Sequence, residues 1–124
     1  MSENIDFARR GYEAFSEGDF DALREFFAPD IEIERAAGLG TLQGPEEVEQ
    51  FVAPDAFEWQ QLEPEDFIES GERLLVALRA RAKGRETGIE VEQLVFHVLT
   101  VRDRKLARLE IYFSREEALE ALGS

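Results

Sequence analysis

At 124 residues, with 44% apolar residues and ten phenylalanines, the chain is sized for one domain that buries roughly two-thirds of its unfolded surface. A net charge of −14 repels phosphate backbones and anionic bilayers, which argues against nucleic acid or a membrane surface as partner. Lacking cysteine and carrying one histidine, the chain has no disulfide frame, no thiol nucleophile and too few ligands for a structural metal site, and nothing in it calls for a cofactor. The acidic residues are scattered, as on a solvated surface. The opening MSENIDFARR has no apolar signal core, and the uncharged run 94–101 is too short to span a bilayer. A soluble, cytoplasmic protein is expected.

The chain begins with a helical period: Ile5, Ala8, Tyr12 and Phe15 recur on one face of residues 2–17. Gly18 ends this helix, and Asp19 supplies an N-cap for a second at 20–27, which Pro29 closes. Together they predict an αα-hairpin. Residues 30–36 alternate, with Ile31, Ile33 and Arg35 to one side and Glu32 and Glu34 to the other, as in a half-buried strand. That alternation turns Arg35 inward, where a guanidinium needs a glutamate at the pocket rim or an anionic or carbonyl ligand. Residues 38–44 read as loop. Pro45 then starts a short helix to Val52, with Glu46 and Glu47 at its positive end.

Pro54 and Asp55 break the chain again. Residues 57–62 and 66–70 are extended and interrupted at Pro64, the mark of an edge strand or a bulge. A strand at 73–83 follows, setting Leu74, Val76, Leu78 and Ala80 against Arg73, Ala77, Arg79 and Arg81. The organising stretch is 89–113, IEVEQLVFHVLTVRDRKLARLEIYF, two β-branched runs joined by the charged turn Arg102-Asp103-Arg104-Lys105. Val91, Gln93, Val95, His97, Leu99 and Val101 share one strand face; Glu92, Leu94, Phe96, Val98 and Thr100 share the other. Both faces are apolar through the middle, so both need cover. Phe96, Val98 and Tyr112 point away from the helices and predict a homodimer through the sheet face. Arg79, Arg81 and Glu92 read as cross-strand pairs on that outer face. Ser114, Arg115, Glu116 and Glu117 form a capping box for a C-terminal helix ended by Gly123. The order α-α-β-α followed by a strand meander gives an α+β fold, helices on one face of a curved sheet.

The stretches YEAFSEGDFDALREFFAPDIEIE, VFHVLTVRDRKLARLEIYF and SREEALEALG resemble the SnoaL-like proteins of the nuclear transport factor 2-like superfamily. That superfamily also holds ketosteroid isomerases, polyketide cyclases, limonene epoxide hydrolase and scytalone dehydratase. The resemblance spans nearly the whole chain and implies a single domain, 1–124. In it a strongly curved mixed or antiparallel sheet wraps three helices of the N-terminal half into a cone, with a short C-terminal helix, an apolar pocket, and often a dimer through the outer sheet face. It is specific for fold and poor for function, since enzymes and binding modules share the scaffold.

Enzymes of this kind need a carboxylate base and an acid or oxyanion donor in a dry pocket; ketosteroid isomerase uses an Asp base with a Tyr and a neutral Asp as donors. Counted from the Gly18-Asp19 turn and the charged hairpin turn, the base position falls on Arg35, which cannot accept a proton. The acidic donor position falls on His97, and the tyrosine position on Gly11, with Tyr12 next to it. Standard ketosteroid isomerase activity is therefore not expected. The strand aspartate of SnoaL-type cyclases has no counterpart inside a strand here, and the nearest substitute, Glu92, alternates away from His97.

The candidate site thus has His97 as acid/base and Arg35 polarising an oxygen. Tyr12, Phe15, Trp59, Gln93, Leu109 and Ile111 contact the ligand, and Phe113 joins the same wall. Each has a packing alternative: a core histidine bonded to a neighbour, an arginine in a salt bridge, aromatics that are simply core. Three functions remain open: an isomerase-, cyclase- or dehydratase-type enzyme for an apolar carbonyl compound, a non-catalytic binder of a small apolar ligand, or a dimeric interaction module with a residual pocket. A pocket below about 300 Å³ favours the module. Burial of His97 should lower its pKa by disfavouring the charged form.

Overall fold

The computed structural model describes residues 2–52 and 55–123; the break expected at Pro54 lies outside the described residues. Helix α1 (Glu3–Glu17) starts where the Ser2 side chain accepts from the Ile5 amide, and Glu3 and Asp6 face its positive end. It ends at Gly18, whose φ of 73° is the left-handed C-cap that glycine adopts without strain. Asp19 accepts from the Ala22 amide and opens α2 (Phe20–Arg24).

Helix α2 is shorter than the expected 20–27 because strand pairing captures its end. Strand β1 (Phe27–Glu34) begins with Phe27 in register with Leu106, and the ladder is irregular until Glu32 meets Arg108. Pro29 lies in that irregular stretch, where a residue without an N–H interrupts a ladder at least cost. At its far end β1 stops at Glu34, one residue before Arg35. The loop expected at 38–44 contains a 3₁₀ turn, Ala36–Gly38, and a short strand β2 (Thr41–Gln43) paired antiparallel with β1. Three residues are too few to show alternation. Helix α3 (Gly44–Val52) follows.

The remaining strands are β3 (Phe57–Ser70), β4 (Arg73–Gly84), β5 (Glu90–Arg102) and β6 (Lys105–Tyr112). The sheet order is β2-β1-β6-β5-β4-β3, with β1 and β6 parallel and all other neighbours antiparallel. Strand β3 is an edge strand, and its register shifts between Pro64 and Asp66, as the proline required. The β5–β6 turn is tighter than four residues: Asp103 and Arg104 alone make it, with φ of 53° and 61°. Positive φ at both central residues is the two-residue geometry that matches strand twist.

The sheet has two covered faces. On the inner face, helices α1 and α3 pack with Ile31, Ile33, Leu74, Val76, Leu78 and Leu99 around a common core. On the outer face, Leu75, Ala77, Phe96 and Val98 pack under Ala118 and Leu122 of α4 (Arg115–Leu122). This corrects the expectation that Phe96 and Val98 face a second copy. Phe96 is 3% exposed and Val98 is fully buried within one chain, so the apolar patch meant for a second copy is covered by the chain's own C-terminal helix. Tyr112 is half-buried, and its hydroxyl donates to Glu110 at 2.8 Å. The Arg79, Arg81 and Glu92 pairs form as expected, with Arg79 to Glu92 at 2.7 Å and Arg81 to Glu92 at 3.4 Å. No helix among the described residues is long and apolar enough to cross a membrane.

Candidate functional site

The inner sheet face and helices α1 to α3 line a half-open cavity of about 480 Å³, above the size at which a drug-sized ligand fits. One part of its wall is aromatic: Phe7, Phe15, Phe26, Phe27, Phe51 and Phe57. The sheet contributes aliphatic side chains, among them Ile33 of β1, Val95 and Leu99 of β5, and Leu109 and Ile111 of β6. Gly11 of α1 faces Phe26, whose ring a β-carbon there would meet in ordinary van der Waals contact at 3.7 Å.

Polar groups on this wall are few. They are Tyr12 of α1, His97 of β5, and Gln50 and Gln60 near the end of α3. None of the described lining residues carries a charge. The Gln60 amide donates to the Val52 carbonyl at 3.5 Å, tying β3 to α3.

Tyr12 and His97 form the polar centre. The phenol oxygen lies 2.8 Å from Nδ1 of His97, and the two rings pack at 5.7 Å between centroids. Both are buried, Tyr12 at 8% exposure and His97 at 6%. Local sequence puts them there: Tyr12 lies on the apolar stripe of α1 with Ala8, and His97 sits between Val76 of β4 and Ile111 of β6 in the register. Burial pushes the imidazole down to about 3, so it is neutral at physiological pH. Burial likewise pushes the Tyr12 phenol well above its usual range. The pair is a neutral hydrogen-bonding unit in an oily space.

His97, Tyr12, Phe15, Leu109 and Ile111 are brought together as the sequence predicts. Four other expected residues are not. Arg35 lies beyond the end of β1, and its guanidinium bonds the carbonyls of Leu39 and Gly40 instead of entering the cavity; the alternation that turned it inward stops one residue short. Trp59 lines an adjoining depression of about 300 Å³ with Arg85 and Asp55, which shares Phe15, Phe57 and Gln60 with the cavity, because a register shift between Phe57 and Trp59 breaks the alternation of β3. Gln93 is exposed and outside the cavity wall; β5 pairs with β6 only from Phe96 onward, so its first half runs past the enclosed space. Phe113 follows the end of β6 and is 55% exposed. Sequence reasoning missed Phe7 of α1, Phe51 of α3 and Phe26 in the turn after α2. It also missed the direct Tyr12–His97 bond, which links residues 85 apart. Among the described residues no cluster of three His, Asp or Glu could hold a metal.

A profile of the SnoaL-like domain matches residues 8–109. Three solved structures share the fold along most of the chain. TerC, crystallised with polyporic acid, is 26% identical, with a TM-score of 0.79 and coverage of 99% of this chain and 100% of its own. A nuclear transport factor 2-like protein of unknown function from Burkholderia pseudomallei is 29% identical, with a TM-score of 0.79 and full coverage of both chains, 100% and 100%. A protein assigned as a polyketide cyclase from Sinorhizobium meliloti is 32% identical, with a TM-score of 0.67 and coverage of 86% of this chain and 93% of its own. No curated protein matches the sequence at a significant level.

Proposed function

We propose that this chain, which belongs to the SnoaL-like domain family, binds one small, neutral, largely apolar molecule bearing an oxygen, and orients it at the Tyr12–His97 pair. The observation that carries this reading is a cavity of about 480 Å³ whose described lining residues include no charge and whose most deeply buried polar groups are one phenol and one imidazole. An ionised ligand would leave water without a counter-charge to meet, at a cost that apolar contact does not offset. A neutral aromatic or alicyclic body gains from the phenylalanine wall. TerC, which shares the fold and was crystallised with polyporic acid, supports small-molecule occupancy in this family.

Acid–base turnover is the second reading, and one observation favours it. A neutral imidazole whose Nδ1 is occupied by a phenol has one N–H left, able to stabilise a developing oxyanion. Proton abstraction needs more than that. The described lining residues include no Asp or Glu, and an imidazole held down to about 3 is a weak base. The geometry therefore supports binding ahead of isomerisation, cyclisation or dehydration. Native mass spectrometry of gently purified protein tests the reading. A co-purifying neutral apolar species, displaced by methyl naphthyl ketone, is the expected result. Protein that carries no ligand and takes up none of the ketone overturns it.

A further inference from the structure

We infer that Tyr12 is a positioning residue that fixes His97 as the tautomer protonated on Nε2, so that the cavity offers its ligand a hydrogen-bond donor and selects a carbonyl-type acceptor oxygen. This rests on the reading of the cavity as a ligand site, but the proton assignment stands on the protein alone.

The phenol oxygen and Nδ1 of His97 are 2.8 Å apart, and each is the other's only hydrogen-bond partner among the described residues. One proton lies between them. A phenol O–H is the stronger donor of the two, and an imidazole nitrogen is a far better acceptor than a phenol oxygen. The reverse arrangement, Nδ1–H toward the phenol, would use a poor acceptor and leave the Tyr12 O–H without one. The phenol therefore donates to Nδ1. A neutral imidazole carries a single N–H, which then sits on Nε2. That nitrogen has no partner among the described residues, yet none of their sealed side-chain polar atoms is left unpaired. Nε2–H therefore opens onto the cavity that His97 lines.

This gives the site a direction. A ketone or quinone oxygen accepts from Nε2–H, whereas an isosteric hydrocarbon leaves that donor unmade. Flat aromatic rings fit the phenylalanine wall around it, so neutral aryl carbonyl compounds are the class the site favours.

The test has two arms. In the ligand-free wild type, ¹⁵N NMR of the lone histidine should show a protonated Nε2, a bare Nδ1, and a slowly exchanging Tyr12 hydroxyl proton correlated with Nδ1. A proton on Nδ1, or rapid averaging of both tautomers, overturns the inference. In Tyr12→Phe the single tautomer should give way to an averaged spectrum; an unchanged Nε2–H signal denies Tyr12 its role. In the second arm, methyl naphthyl ketone should bind the wild type about tenfold more tightly than isopropenylnaphthalene, which replaces the carbonyl oxygen with a methylene. The difference should shrink about twofold in Tyr12→Phe, where only part of the imidazole carries Nε2–H. Equal affinities in the wild type overturn the donor role. Failure of both compounds to bind counts against the cavity as a ligand site and leaves the tautomer to be decided by the spectra.

Discussion

The Tyr12 hydroxyl meets Nδ1 of His97 at 2.8 Å and joins α1 to the middle of β5 inside an apolar cavity. That burial makes stability depend on pH. The native state holds the imidazole down from its ordinary 6.5 to about 3, so below 6.5 the unfolded chain takes up a proton that the folded chain refuses. Stability contributed this way is complete above the unfolded value and is lost as pH falls toward the folded one. The slope approaches about 1.4 kcal/mol per pH unit from this one group. Urea unfolding between about pH 6.5 and 5, above most carboxylate titration, should show the decline. His97→Leu should flatten it. A flat wild-type profile would mean that His97 is hydrated.

A second prediction concerns the outer face. Arg73 reaches Glu110 at 2.9 Å, Glu110 also accepts from Tyr112 at 2.8 Å, and Arg73 donates to the Leu122 carbonyl at the end of α4 at 3.5 Å. Arg73 thus fastens α4 to the sheet. The Glu110 side chain is only 10% exposed, so removing Arg73 leaves a poorly hydrated carboxylate with only the more distant Arg108, at 3.8 Å, as its cation. Arg73→Leu should cost about 1–3 kcal/mol, discounted for the partial exposure of the arginine. Hydrogen exchange should quicken in α4 more than in α1. Uniform change across both helices would show that the contact does not act on α4.

Phe96 separates the two accounts of the outer face. If it lay on a surface between two copies, Phe96→Glu would dissociate a dimer and leave the fold intact. It lies under Ala118 and Leu122, with the Arg115 guanidinium 5.5 Å from its ring centre. The substitution should therefore destabilise the single chain by about 3–5 kcal/mol, seen as a large loss in urea midpoint at unchanged mass. An unaltered midpoint together with a halved mass in sedimentation would restore the dimer surface.

Most of the fold was legible in the sequence, because local chemistry writes it. Gly18 and Asp19, Pro64, and Ser114 with Glu117 each dictate a turn, a bulge or a cap through their own backbone preferences. The alternation along β5 sorted Val95, His97 and Leu99 from Phe96 and Val98 correctly. What failed depended on where an alternation stops. Arg35 reads inward by parity, and its strand ends at Glu34. Gln93 shares parity with His97 on a stretch that β6 does not reach. Parity gives a direction, while enclosure depends on which neighbouring strand is present. The role of α4 was hidden for a similar reason: eight residues with Ala118 and Leu122 on one side do not say which face of the sheet they will cover.

The central claim, that the Tyr12–His97 pair belongs to an uncharged ligand site and is not sealed core, is tested most directly at the lone histidine. Wild-type protein is titrated with methyl naphthyl ketone and, separately, with naphthoate, while the His97 imidazole resonances are followed. A saturable one-to-one shift at Nε2–H with the ketone, and none with the carboxylate, is the predicted result. His97 resonances that stay fixed while the ketone is raised to its solubility limit would contradict it.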